Sequence, residues 1–192
     1  MVDMSKYLVH FSNTYDSMMA ILSSGTIKPS GPFGKLNKLP KYREKTVCLS
    51  EKPFDSLSKL SSRRGSKFGL AFTKEFIISK GGNRVWYVEN NSPQHSSLQK
   101  MASSNNSLLE LVPYIEIVSN NQNERNDFDW EREWRVIGQV HFSPEDVKYL
   151  FIPLDSHQQA RTFFDDAERE NTGPNYQCPY IDPVNLQRNE NV

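Results

Sequence analysis

Cysteine is scarce. The 192 residues hold two, Cys48 and Cys178, and no CxxC pair. That spacing offers neither a disulfide framework nor a zinc knuckle. The four histidines, His10, His95, His141 and His157, show no ligand spacing either, so no metal is expected. No stretch approaches the roughly 18 apolar residues of a membrane span, and MVDMSKYLVHFS lacks the apolar core of a signal peptide. The expectation is a cytoplasmic protein without a membrane partner. Charge of one sign is also missing: 23 Lys and Arg meet 23 Asp and Glu. That balance excludes a histone-like coat for polyanions. Hydrophobic residues reach only 36%, yet aromatics make up 11%, which argues for a packed core with polar loops rather than a disordered chain.

What is present reads as alternating short elements. Tyr7 to Phe11 is an apolar strand. Asn13 or Thr14 offers an N-cap and Gly25 a C-cap around Met18, Ile21 and Leu22, so residues 14 to 24 are expected as a helix. Pro29 to Pro40 is a loop. Thr46 to Ser50 is a strand, and Pro53 suits the first turn of a helix carrying Phe54, Leu57 and Leu60. Phe68 to Phe72 is a strand, with Thr73 capping a short helix that stops at Gly81-Gly82. Arg84 to Val88 has apolar residues on both faces and reads as a buried central strand. Residues 94 to 117 are helical in pieces, with Tyr114 to Ile117 equally able to form a strand. Trp130 to Phe142 is a strand or a hairpin around Gly138, and Tyr149 to Ile152 is another strand. Asp155 to Asn171 is a helix with Ala160, Phe163, Phe164 and Ala167 on one face. The order predicts an α+β domain over 1–171 around a mostly antiparallel sheet, and a polar tail over 172–192, either an ordered lariat or a frayed end.

Charge is uneven despite the balance. Residues 35 to 67 carry a net +7, and residues 143 to 171 a net −4. A basic segment beside a site would draw phosphates; scattered lysines equally suit a solvated loop. Arg63, Arg64 and Lys67 are the candidate phosphate or nucleic-acid contacts there.

The most informative stretch is Asp129-Trp130-Glu131-Arg132-Glu133-Trp134-Arg135-Val136. In a strand, Glu131, Glu133 and Arg135 share one side, and Trp130, Trp134 and Val136 the other. Two carboxylates and a guanidinium presented together from a rigid element suit acid–base or cation-stabilising chemistry. In a helix, the same residues would be a surface ion pair worth about 0.3–0.5 kcal/mol. His10, mid-strand, is either a hydrogen-bonded core histidine or a ligand contact. Leu49-Ser50-Glu51-Lys52-Pro53 is a strand end of the kind that lines clefts. Gly69, in SKFGLAF, would let a ligand approach the backbone, with Phe68 and Tyr87 able to stack on a base.

YLVHFSN, VCLSEKP, RRGSKFGLAF, GGNRVWYV and WEREWRV, in this order over residues 7 to 153, resemble the AbiGi-type abortive-infection proteins of bacterial phage-defence loci. The same block order resembles the ADP-ribosyltransferase fold, DarT-like toxins included. That resemblance implies a split antiparallel sheet gripping NAD, with short peripheral helices. It also implies roles. His10 would hold the adenosine-side ribose or phosphate. Ser50, or Tyr87, would line the nicotinamide pocket. Glu133 would bind the ribose 2′-hydroxyl, Glu131 would orient or deprotonate the acceptor, and Arg135 would hold the acidic pair or a phosphate. NAD is then the expected substrate, and DNA or a protein the acceptor. Two alternatives stay open: a DNA N-glycosylase using the same cleft, and a non-catalytic antitoxin or binding module with a partner protein of its defence locus.

Overall fold

The computed structural model describes residues 6–32, 44–51, 61, 65–104, 106–118 and 132–183. Strand β1 (Tyr7–Ser12) leads into α1 (Tyr15–Ser24). Thr14 Oγ1 accepts the Ser17 N–H, satisfying one of the donors that a helix start leaves open. Gly25 ends the helix at φ 57°; a side chain there would also strike the Phe142 carbonyl at 2.8 Å. Short β2 (Thr26–Ile27) and β3 (Ser30–Pro32) precede β4 (Lys45–Ser50) and β5 (Phe68–Thr73). Thr73 caps α2 (Lys74–Ser79) through Phe76 N–H. Then come β6 (Asn83–Arg84), β7 (Trp86–Glu89), α3 (Pro93–Ser104), a 3-10 helix (Asn106–Tyr114) and β8 (Ile115–Val118). The chain finishes with β9 (Glu133–Ile137), β10 (Val140–His141), β11 (Val147–Phe151), α4 (His157–Arg169) and β12 (Tyr180–Ile181).

The main sheet runs β12-β11-β5-β1-β4-β9-β6, with β3 beside β4, and only the β11–β12 pair is parallel. Leu8, Val47, Leu49, Leu70, Phe72, Trp134 and Val136 point to one side. There they meet Met18 and Leu22 of α1, Ile77 of α2, and Ala160 and Phe164 of α4 in the principal core. Val9, Ala71 and Phe151 form a smaller cluster on the other side. A second unit, β7 paired in parallel with β8 and packed with α3 around Val88, Leu98 and Ile115, makes its own core.

The β1–β4 boundary is unusual. The β1–β5 ladder registers every residue from Tyr7 to Ser12, and β4–β9 every residue from Thr46 to Ser50. Between β1 and β4 a single pair registers, Val9 with Ser50. The next residue, His10, crosses the gap with its ring: Nδ1 lies 2.9 Å from the Cys48 carbonyl oxygen. A side chain thus satisfies a backbone acceptor that a continuous ladder would have paired.

Several expectations are corrected. Arg84 to Val88 is not one central strand. It divides at Val85 between the edge of the main sheet and the small parallel sheet, which leaves Trp86 53% exposed. β9 and β10 do not form a hairpin; Val140 pairs with Ile27 of β2 instead. Phe163 stands 48% exposed, while Phe164 takes the core position. Gly69 makes room for β1 rather than a ligand: a side chain there would lie 2.9 Å from the His10 carbonyl. The helix expected around Pro53 lies outside the described residues. Residues 172–183, the described part of the expected tail, pack against the domain. β12 extends the sheet, and Tyr176 is fully buried, donating its hydroxyl to the Leu22 carbonyl at 2.7 Å. Burial pushes the Tyr176 phenol pKa up. Tyr176→Phe is expected to cost about 1 kcal/mol by removing this neutral hydrogen bond while keeping the ring, read as a lower urea midpoint at unchanged m-value.

Candidate functional site

Glu133 opens β9 directly opposite Ser50 of β4, and Arg135 stands opposite Cys48. Opposed residues of an antiparallel ladder, and every second residue along a strand, share a side. Glu133, Arg135, Cys48 and Ser50 therefore share the side away from the principal core, as the alternation in the sequence requires. The β7–α3–β8 unit covers that side. Its Pro113 carbonyl accepts from Arg135 Nη1 at 2.8 Å, and its Glu116 Oε2 accepts from Nη2 at 2.9 Å. Arg135 also grips Glu133 with two parallel bonds, Nε to Oε1 at 3.0 Å and Nη2 to Oε2 at 3.1 Å. Burial disfavours the cation, but the bonds and charges of Glu133 and Glu116 outweigh it and raise the Arg135 pKa. At 2% exposure, with its fork committed to protein groups, Arg135 holds Glu133 in place. Of the two roles expected of it, holding the acid or holding a phosphate, these contacts match the first. The Tyr87 hydroxyl donates to Glu133 Oε2 at 3.4 Å.

Glu133 lines a cavity of about 240 Å³ together with Glu51, Arg84, Val85, Tyr87 and Arg132. The cavity forms where β4 ends and β9 begins. There Glu51 N–H donates to the Arg132 carbonyl and Val85 N–H to the Glu133 carbonyl. Arg132 takes φ 46°, a left-handed conformation unfavourable for a side-chain-bearing residue and one that collects at functional sites. Glu51 is a second buried carboxylate; the sequence placed it in a cleft-lining strand end but gave it no role of its own. It accepts from Lys74 Nζ at 2.7 Å and Trp134 Nε1 at 2.8 Å, and pairs with Arg84 at 3.3 Å. Burial alone would raise its pKa; the bonds from Lys74 and Trp134 and the charges of Lys74 and Arg84 overcome that and lower it. Its position at the end of a buried strand, after Leu49-Ser50, was the available signal.

Glu133, Tyr87, Arg135 and Ser50 are thus brought together. His10 is not among the cavity's lining residues. Its register partner Leu70 puts it on the principal-core side, and its ring sits in the β1–β4 seam. Phe68 packs edge-on to Tyr15 at 5.8 Å, at the margin of the principal core rather than by the cavity. Lys67 is exposed. Glu131, Arg63 and Arg64 lie outside the described residues. Among the described residues, no group of three or more His, Cys, Asp or Glu could hold a metal ion, and no helix is long and apolar enough to cross a membrane.

Cys48 sits beside Glu133. Burial and then the Glu133 charge push its thiol pKa up to about 12, and burial pushes Cys178 up to about 11. At pH 8 the Cys48 thiolate fraction is then about one in ten thousand. Neither free thiol should be alkylated by iodoacetamide at pH 8 in the folded protein, while both react in urea; intact mass reads the difference.

No curated protein matches this chain by sequence. Among solved structures, Thermus sp. 2.9 DarT in complex with carba-NAD+ superposes with a TM-score of 0.44 at 8% identity, over 95% of this chain and 97% of that one. Residues 34–155 match the family described as "Putative abortive phage resistance protein AbiGi, antitoxin". This match spans β4 to β11 and includes Ser50, Glu51, Arg84, Tyr87, Glu133 and Arg135, and the chain belongs to the AbiGi family of abortive phage resistance.

Proposed function

We propose that this protein cleaves an N-glycosidic bond, transferring ADP-ribose from NAD to a nucleic acid or protein acceptor during phage defence. The observation that carries this reading is the buried Glu133 carboxylate, clamped by Arg135 and facing a small polar cavity. The strand order supports it as well. Ser50 and Glu133, two of the positions named by the sequence resemblance, stand directly opposite each other on the neighbours β4 and β9. As the C–N bond breaks, nicotinamide departs with the bonding electron pair and the ribose gains oxocarbenium character. A fixed carboxylate stabilises that charge where it develops. The acceptor then bonds to the ribose carbon and loses its proton to a base, the role expected of Glu131. The test is incubation of purified protein with labelled NAD and with phage DNA. Released nicotinamide supports the transfer, and abasic sites would redirect the reading to a DNA glycosylase.

A second reading has its own support. The family description names an antitoxin, and Arg135 already engages both oxygens of Glu133. In a non-catalytic binding module that clamp would be purely structural. A Glu133→Gln protein that keeps its full effect in infected cells would favour this second reading.

A further inference from the structure

Beside the Glu133 cavity lies a larger groove of about 720 Å³, walled by β6, β7, α3 and the 3-10 helix. Three of its residues are large hydrophobic side chains left half in solvent: Trp86 at 53%, Met101 at 50% and Leu111 at 52%. Its polar groups are few: Asn83, Arg84, Gln94, Ser97 and Tyr114. A concave apolar bed of this size with a handful of polar groups is the usual form of a small-molecule site. Arg84 lines both spaces. One edge of its guanidinium touches Glu51 and one face lies 5.4 Å from the Trp134 ring, yet its side chain remains 65% exposed. Arg132, exposed on the same small cavity, has no ion-pair partner among the described residues. Glu51 and Glu133, by contrast, are already matched by Lys74 and Arg135. The junction therefore offers two guanidinium groups to an anion.

The Glu133 cavity, at about 240 Å³, is smaller than the ~300–1,000 Å³ of sites that enclose a drug-sized ligand. It suits a sugar, and the remainder of a nucleotide must leave it. We propose that the groove is the second half of this site and takes the aromatic heterocycle of a phosphate-bearing nucleotide. The base lies against Trp86, and the phosphate lies over Arg84 and Arg132. This rests on the reading of Glu133 as a sugar-facing carboxylate. It routes the ligand toward β7 and α3 rather than across the β1–β4 seam.

Titration calorimetry with ADP-ribose on the full chain tests it. Trp86→Ala and Arg84→Gln should each weaken binding about tenfold or more, and Trp86→Phe should restore most of the loss. Leu154→Ala, at an exposed apolar residue remote from both spaces, should bind as wild type. Because Trp86 is half in solvent, its loss leaves the core intact, which an unchanged urea midpoint confirms. Equal affinity in wild type, Trp86→Ala and Arg84→Gln overturns the groove assignment, even if NAD is cleaved. Binding that depends on Trp86 without NAD cleavage keeps the groove assignment and removes the transferase reading. No binding by the wild type overturns the groove assignment.

Discussion

Glu133→Gln should lose about a hundredfold to a thousandfold in nicotinamide release, the scale of removing one preorganised electrostatic contact. The substitution keeps the shape and retains an oxygen for Arg135 Nε. It removes the negative charge and turns an amide N–H₂ toward Nη2, which now donates at 3.1 Å to Oε2. The lost charge matters most when the sugar becomes cationic, so kcat should fall far more than KM rises. Stability should fall less, by about 1.5–3 kcal/mol for one charge-assisted bond. Steady-state kinetics and a urea titration on the same preparation separate the two effects. Wild-type turnover in Glu133→Gln would end the claim that this carboxylate does the chemistry.

Arg135→Met should be the most destabilising single change in the site, by about 3–5 kcal/mol. Arg135 is 2% exposed and is the shared cation of Glu133 and Glu116. Removing it leaves two carboxylates facing each other with little water, and the Pro113 carbonyl without its donor. Because total stability of a domain is about 5–15 kcal/mol, the loss should show at once in the urea midpoint. Adding Glu133→Gln to Arg135→Met should recover part of it by removing one stranded charge. An unchanged midpoint in Arg135→Met would mean that the fork is ornamental.

Local signals in the sequence carried much of the fold. Thr14 and Gly25 bounded α1 because each meets a backbone demand that few residues satisfy. The alternation of Glu133, Trp134, Arg135 and Val136 placed charged and apolar groups on opposite sides because the strand period is two. Pairings between distant segments were not legible. Nothing local to Val140 announces Ile27 as its partner, and nothing local to Tyr180 announces a place beside Leu150. The split of Arg84 and Tyr87 between two sheets follows from the docking of β7 on β8, a tertiary event. The choice between the two roles of Arg135, holding the acid or a phosphate, was not legible for the same reason. Its strand face was readable, but Glu116 and Pro113, which occupy its guanidinium, come from another unit. The pairing of Glu51 was hidden because its partners, Lys74, Arg84 and Trp134, approach from three separate segments.

The single rivet between β1 and β4 gives the molecule a crease. Strands β12, β11, β5 and β1 form one stiff plate, and β4, β9, β6 and β3 another, each laced by backbone bonds. Bending about the crease disturbs one registered pair and one imidazole contact, whereas bending within either plate would break a ladder. The first plate carries His10 and the second carries Glu133. The softest deformation of the sheet therefore changes the separation of those two groups at the expense of the His10–Cys48 contact, while the Arg135 grip on Glu133 stays within one plate.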